Sequence, residues 1–119
     1  VSYTSSAPFG RSTGVTALMV AAAFGRNKLL TLLLDAGADV DKESDDGLTA
    51  LRFAVQQNQR SAVKLLLQAD AAVDGTERSG NPLTIASQIG YTGIVAELLE
   101  AGATVDAYAP APIDGTPLL

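Results

Sequence analysis

The sequence predicts an all-α solenoid of stacked helix-turn-helix units, and three observations carry that prediction. A period near 33 organises the chain: Gly14, Gly47 and Gly80 are spaced 33 and 33 apart, and Leu32-Leu33-Leu34 recurs as Leu65-Leu66-Leu67 and then, 32 later, as Glu97-Leu98-Leu99. Fixed periods of about 20–50 residues mark stacked repeat units. Within each unit two short stretches of apolar residues at helical spacing are separated by a turn and followed by an extended loop. Finally, helices of about eight to ten residues are marginal in water, so each pair must bury its apolar face on the next pair.

Each unit opens on a cap. Thr16, Thr49 and Asn81 stand where a side-chain oxygen accepts a bond from a free helical N–H, with Pro82 at the tolerated first helical position. Leu18, Ala21 and Ala22, then Leu51, Ala54 and Val55, then Leu83 and Ala86 follow at helical spacing, and Gly25, Asn58 and Gly90 end these first helices. The second helices are predicted over Lys28–Ala36, Ser61–Ala69 and Thr92–Ala101, with Gly37, Asp70 and Gly102 as stops. The expected division is an irregular lead-in over 1–13, repeats over 14–46, 47–79 and 80–113, the last carrying an extended loop rich in Pro and Ala, and the start of a fourth unit over 114–119. With no initiator Met and no intact signal peptide, the chain is expected to be a piece of something longer and to reside in the cytoplasm.

Composition removes whole classes of chemistry. The 119 residues include no Cys and no His, which excludes a thiolate nucleophile, a Ser-His-Asp triad, an imidazole relay, a zinc site of the usual kind and any disulfide. At 47% hydrophobic and 18% charged the chain is that of a folded domain. With 8 Lys and Arg against 13 Asp and Glu, the net charge of −5 argues against nucleic acid or an anionic membrane and for a partner with a basic patch. No apolar run approaches the roughly 20 residues that span a bilayer.

The three units GVTALMVAAAFGRNKLLTLLLDAGADVD, GLTALRFAVQQNQRSAVKLLLQADAAVD and GNPLTIASQIGYTGIVAELLEAGATVD together resemble the ankyrin repeat, D-x-x-G-x-T-P-L-H-x-A-A-x-x-G-H followed by V-x-L-L-L-x-x-G-A-D, in register through Gly14–Asp41, Gly47–Asp74 and Gly80–Asp106. A tetratricopeptide array, the rival of similar period, lacks the Gly-Ala-Asp-Val-Asp segment and the Thr-Ala-Leu opening. The resemblance implies a solenoid whose units are joined by β-hairpin-like loops and whose function is non-enzymatic binding of another protein, as a monomer and without a cofactor. The alternative is a regulatory or targeting segment of a larger enzyme or signalling protein. The family's His after T-P-L is Met19, Arg52 and Thr84 here, so its hydrogen bonding near the helix start is missing or rebuilt, by three side chains expected on the binding side. The position often Asn after G-A-D-V is Asp in every unit.

By repeat position, the resemblance places partner binding on the hairpin tips and the exposed face of the first helices, which form a concave ladder. That surface comprises Ser12, Thr13, Val15, Ala23 and Phe24 from the first unit. The second adds Glu43, Asp45, Asp46, Leu48, Arg52, Gln56 and Gln57, and the third Thr76, Arg78, Ser79, Gln88 and Ile89, with Tyr108 at the far edge. Phe24, Gln57 and Ile89 occupy equivalent places; the two apolar residues are either anchors in a polar rim or side chains folded back on their neighbours. The first tip is acidic, with only Lys42 opposing Glu43, Asp45 and Asp46, while the second sets Glu77 beside Arg78.

Other motifs dissolve on inspection. The alternating carboxylates Asp39, Asp41, Glu43 and Asp45 have Ser44 and Ala50 where a calcium loop needs Gly and a bidentate Glu, and they read as a solvated turn. Ser61-Ala62-Val63-Lys64 matches S-x-x-K without its companion elements. No phosphate-binding loop occurs, and Gly25-Arg26-Asn27-Lys28 is the ordinary repeat turn. No catalytic or metal-binding residue is assigned.

Overall fold

A computed structural model describes residues 14–76 and 78–105. Among them lie six helices and no strand: α1 (Ala17–Ala23), α2 (Asn27–Asp35), α3 (Ala50–Gln56), α4 (Arg60–Gln68), α5 (Pro82–Ile89) and α6 (Thr92–Glu100). The all-α solenoid read from the period is therefore what forms. The helices pair α1 with α2, α3 with α4 and α5 with α6. Successive pairs stack so that α1, α3 and α5 make one row and α2, α4 and α6 a second.

Local chemistry explains where each first helix starts. The side chains of Thr16, Thr49 and Asn81 accept hydrogen bonds from the backbone N–H of Met19, Arg52 and Thr84 at 3.2, 3.3 and 3.0 Å. Arg26, Gln59 and Tyr91, which precede the second helices, make no side-chain cap, so those starts have no signal in composition. Instead their backbone N–H groups bond back to Ala21, Ala54 and Ala86 at 2.9 Å each, and the closed turn sets the boundary. This is why α2 and α4 begin one residue before the predicted Lys28 and Ser61. Ala36, Ala69 and Ala101 are caps rather than helical residues, so the second helices also end one residue early.

Both helix ends in every unit use a left-handed residue, and at two of these places it is not glycine: Asn58 has φ 57° and Asp70 has φ 68°. Asn tolerates that conformation well, whereas Asp at the place held by Gly37 and Gly102 carries strain. Asp70→Gly is expected to raise stability by about 0.5 kcal/mol, the relieved strain less the added freedom of the unfolded chain. Thermal unfolding checks it, and a lowered Tm would contradict the placement.

The core follows from the stacking. Ala21, Ala22, Ala54 and Ala86 are fully buried where the first helices approach one another, and Leu30, Val63, Leu66, Ile94 and Leu98 fill the space beneath. Burial depends on having a neighbour. Leu29 in the first pair is 44% exposed while Ile94, the same repeat position in the third, is 1% exposed. At the other end Leu99 is exposed although its counterparts Leu34 and Leu67 pack partly against the core. Stability in such an array resides in interfaces between adjacent pairs.

Candidate functional site

The tips and the first-helix row are built by polar side chains that turn back on the backbone. In the first tip Ser44, buried, donates its N–H to the Leu48 carbonyl at 2.8 Å and accepts the Leu48 N–H on its hydroxyl at 3.2 Å. In the second, Ser79 Oγ accepts the Thr76 N–H at 2.8 Å, and Thr76 Oγ1 accepts the Ser79 N–H at 3.2 Å. Ser79 is thus a fully buried staple of the tip and does not lie on the surface assigned to it from sequence. Ala23 is corrected likewise: at 2% exposure it belongs to the core between α1 and α3.

Long side chains tie one repeat to the next. Arg78 lies against Gly47 and reaches back to the first tip, where its guanidinium bonds the Asp45 carbonyl and stands 3.6 Å from the Glu43 carboxylate. Glu77, which the sequence sets beside Arg78, lies outside the described residues; among those described, Arg78 pairs with Glu43 and so offsets part of the first tip's negative charge. The three substitutes for the family's His are rebuilt in three ways. Met19 is buried, and its sulfur accepts the Thr16 N–H, so it does not face the binding side. Arg52 reaches the Ser79 carbonyl in the second tip, its Nε is buried without a partner among the described residues, and burial pushes its guanidinium below the usual arginine range. Thr84 stays local, its hydroxyl 3.4 Å from the Asn81 side chain.

The remaining candidates divide by exposure. Phe24, 42% exposed, Gln57 and Ile89, 49% exposed, stand in equivalent places at the ends of α1, α3 and α5, and Gln88, Asp45, Asp46 and Arg78 are also open to solvent. Glu43, Arg52, Gln56 and Thr76 are half-buried. Val15 and Leu48 are half-buried too, but pack against the core. Ser12, Thr13 and Tyr108, and with them the lead-in, the extended loop and the fourth unit, lie outside the described residues.

Sequence reasoning missed the role of the Asp that closes each unit. Asp41 Oδ1 accepts the Ala72 N–H at 2.9 Å, and Asp74 accepts both the Thr104 N–H at 2.9 Å and the Thr104 hydroxyl at 2.7 Å. Each carboxylate fastens its own repeat to the following one, and the recurrence of Val-Asp in every unit was the available signal. Asp39, also in the acidic run, accepts the Asp41 N–H at 3.0 Å. The hydrogen bonds from the Thr104 backbone and hydroxyl, and a smaller one from Asn81, hold the Asp74 carboxyl below its ordinary value against a slight opposing desolvation. A lowered folded value means the stabilisation is complete above the unfolded carboxylate range and is lost as pH falls through the folded value. Asp74→Asn keeps an acceptor but cannot titrate. Its Tm is expected to fall less than that of the wild type between pH about 7 and about 3, and equal losses would remove this role.

These features define a helical repeat scaffold that presents side chains in rows and holds no described group of three or more His, Cys, Asp or Glu placed to bind a metal. The chain belongs to the ankyrin repeat family: the family model for three copies of the repeat matches residues 18–109. It is 36% identical over 113 residues to the ankyrin repeat and KH domain-containing protein mask-1 of Caenorhabditis elegans, covering 91% of this chain and 4% of that protein. It is 42% identical over 93 residues to the mouse nuclear factor NF-kappa-B p105 subunit, covering 76% of this chain and 10% of that protein. Over the same length it is 38% identical to human neurogenic locus notch homolog protein 4, with 76% of this chain and 5% of that protein covered. The chain therefore spans a tenth or less of the length of these relatives. Ankyrin repeats are protein–protein interaction modules, and no described helix is long and apolar enough to cross a membrane.

Proposed function

We propose that this chain is a non-enzymatic recognition module that binds a partner protein along its tips and the exposed ends of the first helices. The observation that carries the reading is the row of Phe24, Gln57 and Ile89. Two large apolar side chains stand open at equivalent positions of the first and third units, with a polar side chain between them. An apolar anchor ringed by polar groups is the usual form of a binding hot spot. The acidic first tip supplies direction toward a basic patch on the partner, moderated by Arg78. Nucleic acid and membrane surfaces are disfavoured by the charge of −5. The proposed setting is intracellular, the proposed state before binding is a monomer, and the repeat boundaries proposed are those of the period.

Joint replacement Phe24→Ala and Ile89→Ala is expected to weaken capture of the partner by at least about 30-fold while leaving Tm within a few degrees, because both side chains are exposed. Glu43→Lys is expected to weaken it further at low salt than at physiological salt. Unchanged capture by these variants would defeat the surface assignment. A second reading, a regulatory or targeting segment that contacts another part of its own polypeptide, is favoured by one observation: the relatives are at least ten times longer than the stretch they share with this chain. Capture of the partner domain in cis rather than in trans distinguishes the two.

A further inference from the structure

The face opposite the first-helix row carries a feature that the proposed recognition surface does not use. An open groove of about 670 Å³ runs between α2 and α4, and its lining includes Leu32 and Leu65, Thr31 and Gln68, and Lys28 and Lys64. Leu32 is 66% exposed, more than any other large apolar side chain on the described helices. No carboxylate lines this groove, and neither lysine has an ion-pair partner among the described residues. Neither α2 nor α4 has an acidic residue in its first turn, so the positive ends of both helices add to Lys28 and Arg26 instead of being neutralised, while Arg60 is taken up by Glu97. On a chain of net charge −5 this is a local reversal of sign.

The next groove along the same row shows the contrast. Between α4 and α6 the space is about 290 Å³ and is lined by Glu97 and Glu100. Glu97 occupies the repeat position of Leu32 and Leu65, and it pairs with Arg60 at 3.0 Å. There the row closes itself with an internal ion pair. Between α2 and α4 the same position is leucine in both helices, which leaves Lys28 for a ligand, while Lys64 borders both grooves.

We propose that the α2–α4 groove is a second docking site, which takes an amphipathic helical segment of a partner presenting a leucine-like side chain between carboxylates. The apolar residue covers Leu32 and Leu65, and carboxylates one turn away on either side meet Lys28 and Lys64. A basic or neutral segment gains the same apolar contact but loses the electrostatic match, so the charge selects the occupant.

The test is a titration of the isotope-labelled 119-residue chain, followed by backbone amide shifts, with two synthetic amphipathic helices. One carries a leucine stripe flanked by glutamates, the other has lysine in place of each glutamate. The glutamate peptide is expected to move the amides of Thr31, Leu32, Lys64 and Leu65, and the lysine peptide to leave them in place. Lys28→Glu places a favourable charge in the first turn of α2, so it keeps or raises Tm while weakening the glutamate peptide by at least about tenfold. Leu32→Ser is expected to weaken it comparably without unfolding the chain. The proposal is overturned if the glutamate peptide leaves these amides unmoved or moves only those of the first helices. Equal binding of both peptides, or wild-type binding by both variants, overturns it as well. So does movement of the same amides on raising protein concentration alone, which would make a second copy the occupant.

Discussion

Phe53→Ala is expected to lower the unfolding free energy by about 3–5 kcal/mol, the range for deleting a fully buried aromatic ring. The ring is 1% exposed on α3, which packs on α1 before it, α5 after it and α4 beneath it. A cavity there weakens both interfaces of the central pair at once. Because stability in a repeat array is a sum over nearest neighbours, both outer pairs are held less firmly, and neither is long enough to stay helical alone. Urea unfolding followed by circular dichroism measures the loss. Leu32→Ala is the control: an equally apolar residue on α2, but 66% exposed, and expected to change stability by less than about 0.5 kcal/mol. Similar losses for the two would mean that the ring is not the keystone of the stack.

Phe53 also marks what the sequence makes legible and what it does not. The repeat period, the caps at Thr16, Thr49 and Asn81, and the stops at Gly37, Asp70 and Gly102 are governed by rules acting over a few residues, and each forms as read. Burial is different. Leu51, Ala54 and Val55 announce themselves by spacing, while Phe53 shares its repeat position with Val20 and Ile85, both only partly buried, and its depth comes from having a pair on each side. Equivalent positions share a backbone address and not a surrounding. That is why Ala23, Ser79 and Met19 leave the expected surface for the interior. Reach between residues distant in sequence is hidden for a related reason. Arg52 bonds a carbonyl 27 residues on and Arg78 one 33 residues back, and neither partner is implied by the neighbours in sequence. Of the candidate site, the legible part is the row Phe24, Gln57 and Ile89, where exposure at a helix end follows from position alone. The cationic groove behind it had no motif to announce it. Lys64 falls within S-x-x-K and Lys28 within an ordinary repeat turn, and neither pattern points to a groove.

Gly75→Ala is expected to cost about 2–4 kcal/mol, although Gly75 falls outside the period that marks Gly14, Gly47 and Gly80. Two penalties combine. Its φ of 76° is left-handed, which an alanine adopts at a cost of about 1–2 kcal/mol. A methyl group there would also run into the Gly80 carbonyl oxygen and stand 2.9 Å from Ser79 Oγ. The first of those contacts is with backbone and cannot be relieved by turning a side chain, so overpacking adds a comparable amount. What must give is the second tip itself. Ser79 would lose its bonds with Thr76, its carbonyl would move from the Arg52 guanidinium, and Arg78 would no longer be aimed at Glu43. The variant should therefore show two losses together: a lower unfolding midpoint and weaker partner capture, although Gly75 presents no side chain to a partner. Arg78→Ala separates them, since it removes the exposed pair with little change in Tm. If Gly75→Ala melts like the wild type, the tip is more pliable than its hydrogen bonds imply, and its order cannot be what positions Arg78 for binding.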